Sequence, residues 1–108
     1  MKLVYAVLQD LFFSAKIDGT AKMTGANVAF VASYEELVQK MQEKRPDLVI
    51  VDLNGFMTPA HVSAVRSKNV RVIGYLSHVQ NDLRNRFKDS CEIMTQSQFS
   101  GKLHELLS

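Results

Sequence analysis

Nine residues, Pro46-Asp47-Leu48-Val49-Ile50-Val51-Asp52-Leu53-Asn54, leave this chain few folds to choose from. A strand exposed on one side alternates apolar and polar residues, and this run does not. Its β-branched, nearly continuous apolar character predicts a strand buried on both faces, as at the centre of a parallel sheet. In open sheets of that kind, ligands and chemistry gather outside the carboxyl ends of the strands. Asp52 stands at that end.

The rest of the chain supplies the partners such a strand needs. Leu3 to Leu8 is a second continuous apolar run, ending at Gln9-Asp10. Leu11 to Thr24 follows as a helix with Phe13, Ile17 and Ala21 on one face, weakened at Gly19 and stopped at Gly25. Asn27 to Ala32 is a short strand. Ser33-Tyr34-Glu35-Glu36 has the form of a capping box, and Tyr34, Leu37, Val38 and Met41 continue at helical spacing until Lys44-Arg45-Pro46 ends the helix. After the central strand, Thr58-Pro59 opens a short helix with Val62 and Val65 inward. Val70 to Leu76 is a fourth strand. Ser77-His78-Val79-Gln80 repeats a capping pattern before a helix that buries Val79, Leu83 and Phe87. Glu92 to Thr95 is the fifth and least marked strand, and Phe99, Leu103, Leu106 and Leu107 stripe a last helix. Strands and helices alternating in this way predict one α/β domain over residues 1–108, a doubly wound, five-stranded parallel sheet.

Composition removes several functions. At 108 residues, 46% of them hydrophobic, the chain can bury one core. Its 13 Lys and Arg are scattered and the net charge is +2, so there is no basic stripe with interleaved aromatics for a nucleic acid. Cys91 is the sole cysteine, which rules out a disulfide framework and a thiolate metal cluster; a partly buried, inert thiol is the plainer reading. His61, His78 and His104 have no spacing that suggests a shared metal. The apolar start is too short to cross a membrane and lacks a cleavage site, so a soluble, cytoplasmic protein without membrane contact is expected.

Pro46 to Asp52 resembles the third strand of response-regulator receiver domains, the CheY-like family, and the likeness extends over nearly the whole chain in order, length and spacing. The resemblance implies a flavodoxin-like fold with strand order 2-1-3-4-5 and makes Asp52 the phosphoacceptor candidate. Where receivers end their first strand in two acids that hold Mg²⁺, this chain has Gln9-Asp10. The implied metal candidates are therefore Asp10, Asp52 and the Asn54 carbonyl. One carboxylate has become an amide, and a hard cation prefers charged oxygens, so Mg²⁺ is expected to bind weakly if at all. Asp10 fits equally well as the N-cap of the first helix. The phosphate-contact candidate is Ser77, with Leu76 an equally simple alignment; as a plain structural residue, Ser77 would cap the next helix. The family's Lys-Pro pair falls at Ser97-Gln98 and its aromatic switch residue at Met94. Gly55-Phe56-Met57-Thr58-Pro59 replaces the usual turn after the phosphoacceptor. The pattern is that of a degenerate, stand-alone receiver. Phe12 and Phe13 are adjacent, so one helix face cannot bury both equally; ordinary packing at the edge of the core is the favoured reading, and a place for one of them near the strand-end pocket the alternative.

Three functions compete. The first, favoured, is a non-enzymatic signal-transduction module that binds a protein partner or a second copy of itself through a helix–strand–helix face near the C-terminus. Phosphorylation would then be impaired or absent. The second is a working receiver in a two-component pathway, with Asp52 taking phosphate from a histidine kinase with Mg²⁺. Losing one acid and the lysine weakens charge neutralisation at two points. The third is a nucleotide or flavin binder. It would need a Gly-rich loop after the first strand, where Gln9-Asp10-Leu11-Phe12-Phe13 is bulky and acidic.

Overall fold

The computed structural model describes residues 2–77 and 81–108. Five strands alternate with five helices: β1 (Leu3–Val7), α1 (Leu11–Thr24), β2 (Asn27–Val31), α2 (Tyr34–Glu43), β3 (Leu48–Asp52), α3 (Pro59–Arg66), β4 (Arg71–Leu76), α4 (Asn81–Phe87), β5 (Glu92–Thr95) and α5 (Gln96–Leu107). The strands form one parallel sheet of order β2-β1-β3-β4-β5, as expected. β3 is the middle strand, and its first four residues are fully buried.

The pleat of β3 divides the interior in two. Val49 and Val51 face one side, where Leu37 of α2, Val62 and Val65 of α3 and Phe87 of α4 cover them. Leu48 and Ile50 face the other, against Phe13, Ile17 and Ala21 of α1 and Phe99, Leu103 and Leu107 of α5. This two-sided burial is why the run reads as continuously apolar. Each of these aliphatic side chains contributes about 1.5–3 kcal/mol by leaving water.

Local chemistry sets the helix ends. The Asp10 side chain accepts from the Phe12 and Phe13 amides at the start of α1, and Gly25 closes that helix at φ 80°. Ser33 caps α2 through the Glu36 amide. Thr58 and His61 form a reciprocal capping box at α3, and His61 also stacks on Tyr34 of α2 with ring centroids 3.9 Å apart. Thr95 and Gln98 form another box, which starts α5 directly from the end of β5. The Tyr5 hydroxyl donates to the Lys44 carbonyl at 2.7 Å and so satisfies the open C-terminal end of α2.

The described part of α4 begins at Asn81. A cap at Ser77 would act on the amides of residues 79 and 80, so that expectation, the rest of the capping pattern, His78-Val79-Gln80, and the expected burial of Val79 lie outside the described residues. Leu83 and Phe87 pack inward as the periodicity predicts.

Candidate functional site

Parallel pairing brings the ends of β1, β3 and β4 to one edge of the sheet, and the side chains with chemistry collect there. Val7 pairs with Val51, so Asp10 emerges beside the end of β3. Asp52 pairs with Tyr75, and paired residues in a parallel ladder project to the same face. Asp52, Asp10 and Tyr75 are thus gathered at the strand ends on the α1/α5 side.

The loop after Asp52 is held from several directions. The Asn54 amide donates to Asp52 Oδ1 at 2.9 Å, and the Gly55 amide to the Asp52 carbonyl at 3.0 Å. The Leu53 amide continues the ladder to the Tyr75 carbonyl at 2.9 Å. Asn54 Oδ1 accepts from the Ser77 amide at 3.2 Å, tying this loop to the exit of β4. Leu53 turns back over Gly74, where an added Cβ would stand 2.6–2.8 Å from the Leu53 side chain. A concavity of about 420 Å³ lies beyond Asn54, lined also by Asn81, Asp82, Leu83 and Arg86.

Charge is uneven here. Asp52 is half-buried, and its carboxyl is held above the usual range by burial first; the Asn54 amide opposes that shift and the nearby Asp10 carboxylate adds to it. Tyr75 is fully buried, stacked on Phe99 at 4.9 Å and tilted against Phe13 at 5.1 Å. Burial, then the charges of Asp52 and Asp10, push its phenol strongly upward, so it stays protonated. Its hydroxyl has no hydrogen-bond partner among the described residues. An unsatisfied buried hydroxyl costs on the order of 1–3 kcal/mol.

The residues singled out in the sequence fall as follows. Asp10 and Asp52 come together. Asp10 Oδ1 is occupied as the α1 cap at 2.9 and 3.4 Å, which realises the structural reading of that residue. Gln9 is exposed. Asn54 and Ser77 are joined to each other beside Asp52, whereas Leu76 is buried in the core on the α2/α3/α4 side. Met94 is half-buried against the α1/α5 core. Ser97 and Gln98 are exposed in the first turn of α5, and the Gln98 side chain turns back to the Thr95 amide at 3.0 Å. Of the adjacent pair, Phe13 is buried and Phe12 is 70% exposed. Cys91 is buried, and burial pushes its thiol up to about 11, which leaves it unreactive at neutral pH.

The sequence reading missed Tyr75. Within Arg71–Leu76 it looks like one more apolar strand residue, and only the pairing register sets it beside Asp52. A divalent cation fits this edge poorly. Gln9 offers no charge, one Asp10 oxygen is committed to the helix cap, and no group of three or more His, Cys, Asp or Glu among the described residues could hold a metal. No helix among the described residues is long and apolar enough to cross a membrane.

No family model matches the chain, and no curated protein matches it in sequence. Solved structures match it closely in shape. The chemotaxis protein CheY4 of Vibrio cholerae aligns at 20% identity over 99% of this chain and 96% of its own, with a TM-score of 0.79. A response regulator from Thermotoga maritima aligns at 17% identity over 98% and 93%, with a TM-score of 0.81. The signal receiver domain of a modulated diguanylate cyclase from Desulfovibrio desulfuricans aligns at 19% identity over 97% and 89%, with a TM-score of 0.78. At these identities the likeness establishes architecture: the chain has the fold of a response-regulator receiver domain.

Proposed function

We propose that this protein is a signalling module that works by binding a protein partner, and that phosphorylation of Asp52 is not its main switch. The observation that supports this most is the composition of the strand-end edge. Neither Asp10 nor Asp52 forms an ion pair with a basic side chain among the described residues; the ion pairs there are Lys22–Asp18 and Arg71–Glu92. A phosphoryl group on Asp52 would add negative charge beside Asp10, where no basic side chain among the described residues pairs with either carboxylate, and neutralisation is most of what catalyses phosphoryl transfer. Ser97 is uncharged and cannot supply it, and neither can the neutral Gln98 side chain, whose oxygen accepts from the Thr95 amide at the α5 cap. Met94, where an aromatic switch would stand, is packed against the core.

One observation favours the alternative of a working phosphoacceptor fed by a histidine kinase. Asp52 is half-exposed at the end of the central strand, and its Oδ2 accepts no hydrogen bond among the described residues. In that reading Ser77 and Asn54 would line the phosphoryl group, and Asp10 and the Asn54 carbonyl would assist a weakly held Mg²⁺. Mass spectrometry after incubation with a small phosphodonor and Mg²⁺, with Asp52→Asn as control, separates the two. The module reading expects no Asp52-dependent mass gain and partner binding or self-association that survives Asp52→Asn. Labelling of Asp52 that alters binding would establish the alternative.

A further inference from the structure

β2 is an edge strand with nothing guarding its open side. It pairs with β1, and its Asn27 amide donates to the Lys2 carbonyl at 2.8 Å. Main-chain groups of successive strand residues point to opposite sides. Asn27, Ala29 and Val31 therefore face β1, while Val28 and Phe30 turn their N–H and C=O groups to the open edge. No described residue hydrogen-bonds those outward groups. Natural edges are blunted by charge, proline or shortness. The opposite edge follows that rule, since β5 has four residues and carries Glu92, which is bonded to Arg71. β2 carries neither charge nor proline, and its Phe30 is 38% exposed.

The outward groups match a second copy of the same strand. In an antiparallel pair centred on Ala29, Val28 of each copy lies opposite Phe30 of the other, and each such pair exchanges two main-chain hydrogen bonds. Val28 packs against the α1/α5 core, and Phe30, two residues on, projects to that same face. An aromatic opposite a β-branched residue is a favourable cross-strand pair, and the two-fold axis forms it twice.

α1 supplies matching charge about that axis. Lys16 bonds the Ser100 hydroxyl of α5. At about 3.6 residues per turn, Asp18 and Lys22 fall on the other flank of α1, toward the β2 edge. They pair with each other at 3.1 Å. α1 ends at Thr24 and β2 begins at Asn27. The midpoint of Asp18 and Lys22 stands about 6 Å back along the helix from Thr24, and Ala29 about 7 Å along the strand from Asn27. The two are level, so the axis through Ala29 brings Asp18 of each copy opposite Lys22 of the other. A strand from an unrelated protein could use the same backbone groups, but the charge pattern on α1 is complementary to itself. We propose that β2 pairs antiparallel with β2 of a second copy, joining the two sheets into one, with Asp18 and Lys22 bridging reciprocally. This rests on the protein-binding reading and names a second copy as the partner, at the β2 edge and not at the C-terminal helix–strand–helix face.

Sedimentation velocity on the full chain over a concentration series should show a monomer–dimer equilibrium. Phe30→Lys charges the edge and should weaken the dimer about tenfold without lowering the monomer's thermal melt. Asp18→Lys makes the α1 flank wholly basic, and Lys22→Asp makes it wholly acidic. Each alone should weaken the dimer about fivefold, because symmetry applies every exposed pair twice. An equimolar mixture of the two should regain it as a heterodimer. Ala29→Cys should crosslink to its counterpart under diamide, since residues on the axis form a closely spaced pair, while the buried Cys91 of wild type should not. A chain that stays monomeric at millimolar concentration, a dimer unmoved by Phe30→Lys, or a charge-swapped mixture no tighter than its components overturns the proposal. A monomer that binds another protein despite Asp52→Asn would remove this dimer and keep the protein-binding reading. A β2 dimer that forms only once Asp52 is labelled would keep the interface and remove that reading.

Discussion

Asp52 is ionised at a cost, and the direction of that cost is testable. Burial, reinforced by Asp10, holds its carboxyl above the ordinary value of 3.8. Between that value and its raised one the folded protein keeps a proton that the unfolded chain has lost, so stability falls as pH rises through the window. Asp52→Asn keeps an oxygen for the Asn54 amide and removes the charge. Thermal melts should therefore show a higher Tm for the variant at neutral pH, with the gain disappearing as pH is lowered to about 3.8. Tyr75 presents the same logic for a neutral group. Its ring is held between Phe13 and Phe99, but its hydroxyl has no partner among the described residues. Tyr75→Phe should leave denaturant stability unchanged or raise it by up to about 1 kcal/mol, since deleting an orphaned donor removes only its desolvation cost. A loss of stability would mean that the hydroxyl is satisfied in solution. At Gln9, restoring an acid should tighten Mg²⁺ at the Asp10/Asp52 pair, as read by titration against wild type.

Elements in this protein depend on contacts of very different reach. The start of α3 relies on a local device, the Thr58–His61 capping box, with His61 Nδ1 accepting the Thr58 amide at 3.3 Å. The same ring stacks on Tyr34 and so joins α3 to α2. His61→Ala should cost about 1 kcal/mol, typical of losing a cap. β4 depends instead on a distant residue: Gly74 leaves the space that Leu53 fills after the turn from β3. Gly74→Ala should destabilise by about 1–3 kcal/mol, the usual range for overpacking, because Leu53 is itself buried. The N-caps at Ser33 and Thr58 were readable from the short motifs Ser33-Tyr34-Glu35-Glu36 and Thr58-Pro59, although of the box expected at Ser33 it is the Ser33 half that forms, its side chain accepting from the Glu36 amide. The Gly74–Leu53 contact was not, because it joins two strands through a fit that neither segment shows alone.

For the molecule as a whole, the two faces of β3 connect everything. Ile50 is fully buried against α1 and α5. Ile50→Ala should cost about 2–5 kcal/mol in denaturant melts, the range for deleting a well-packed aliphatic side chain. Element order and the inward faces of the helices followed from hydrophobic period and length alone, since burial on one face or two leaves a distinct imprint on local sequence. So did Asp52 at the end of the central strand. The strand order and the departures at Gln9, Ser97 and Met94 were read from the likeness to receiver domains. Tertiary structure decided the rest. It turned Phe13 inward and Phe12 outward and paired Asn54 with Ser77. It also set a buried tyrosine beside two carboxylates. Hydrophobic patterning is a property of each segment and survives any neighbour. Register, the field at a strand end and the satisfaction of a hydroxyl are relations between segments, and they exist only once the chain has closed.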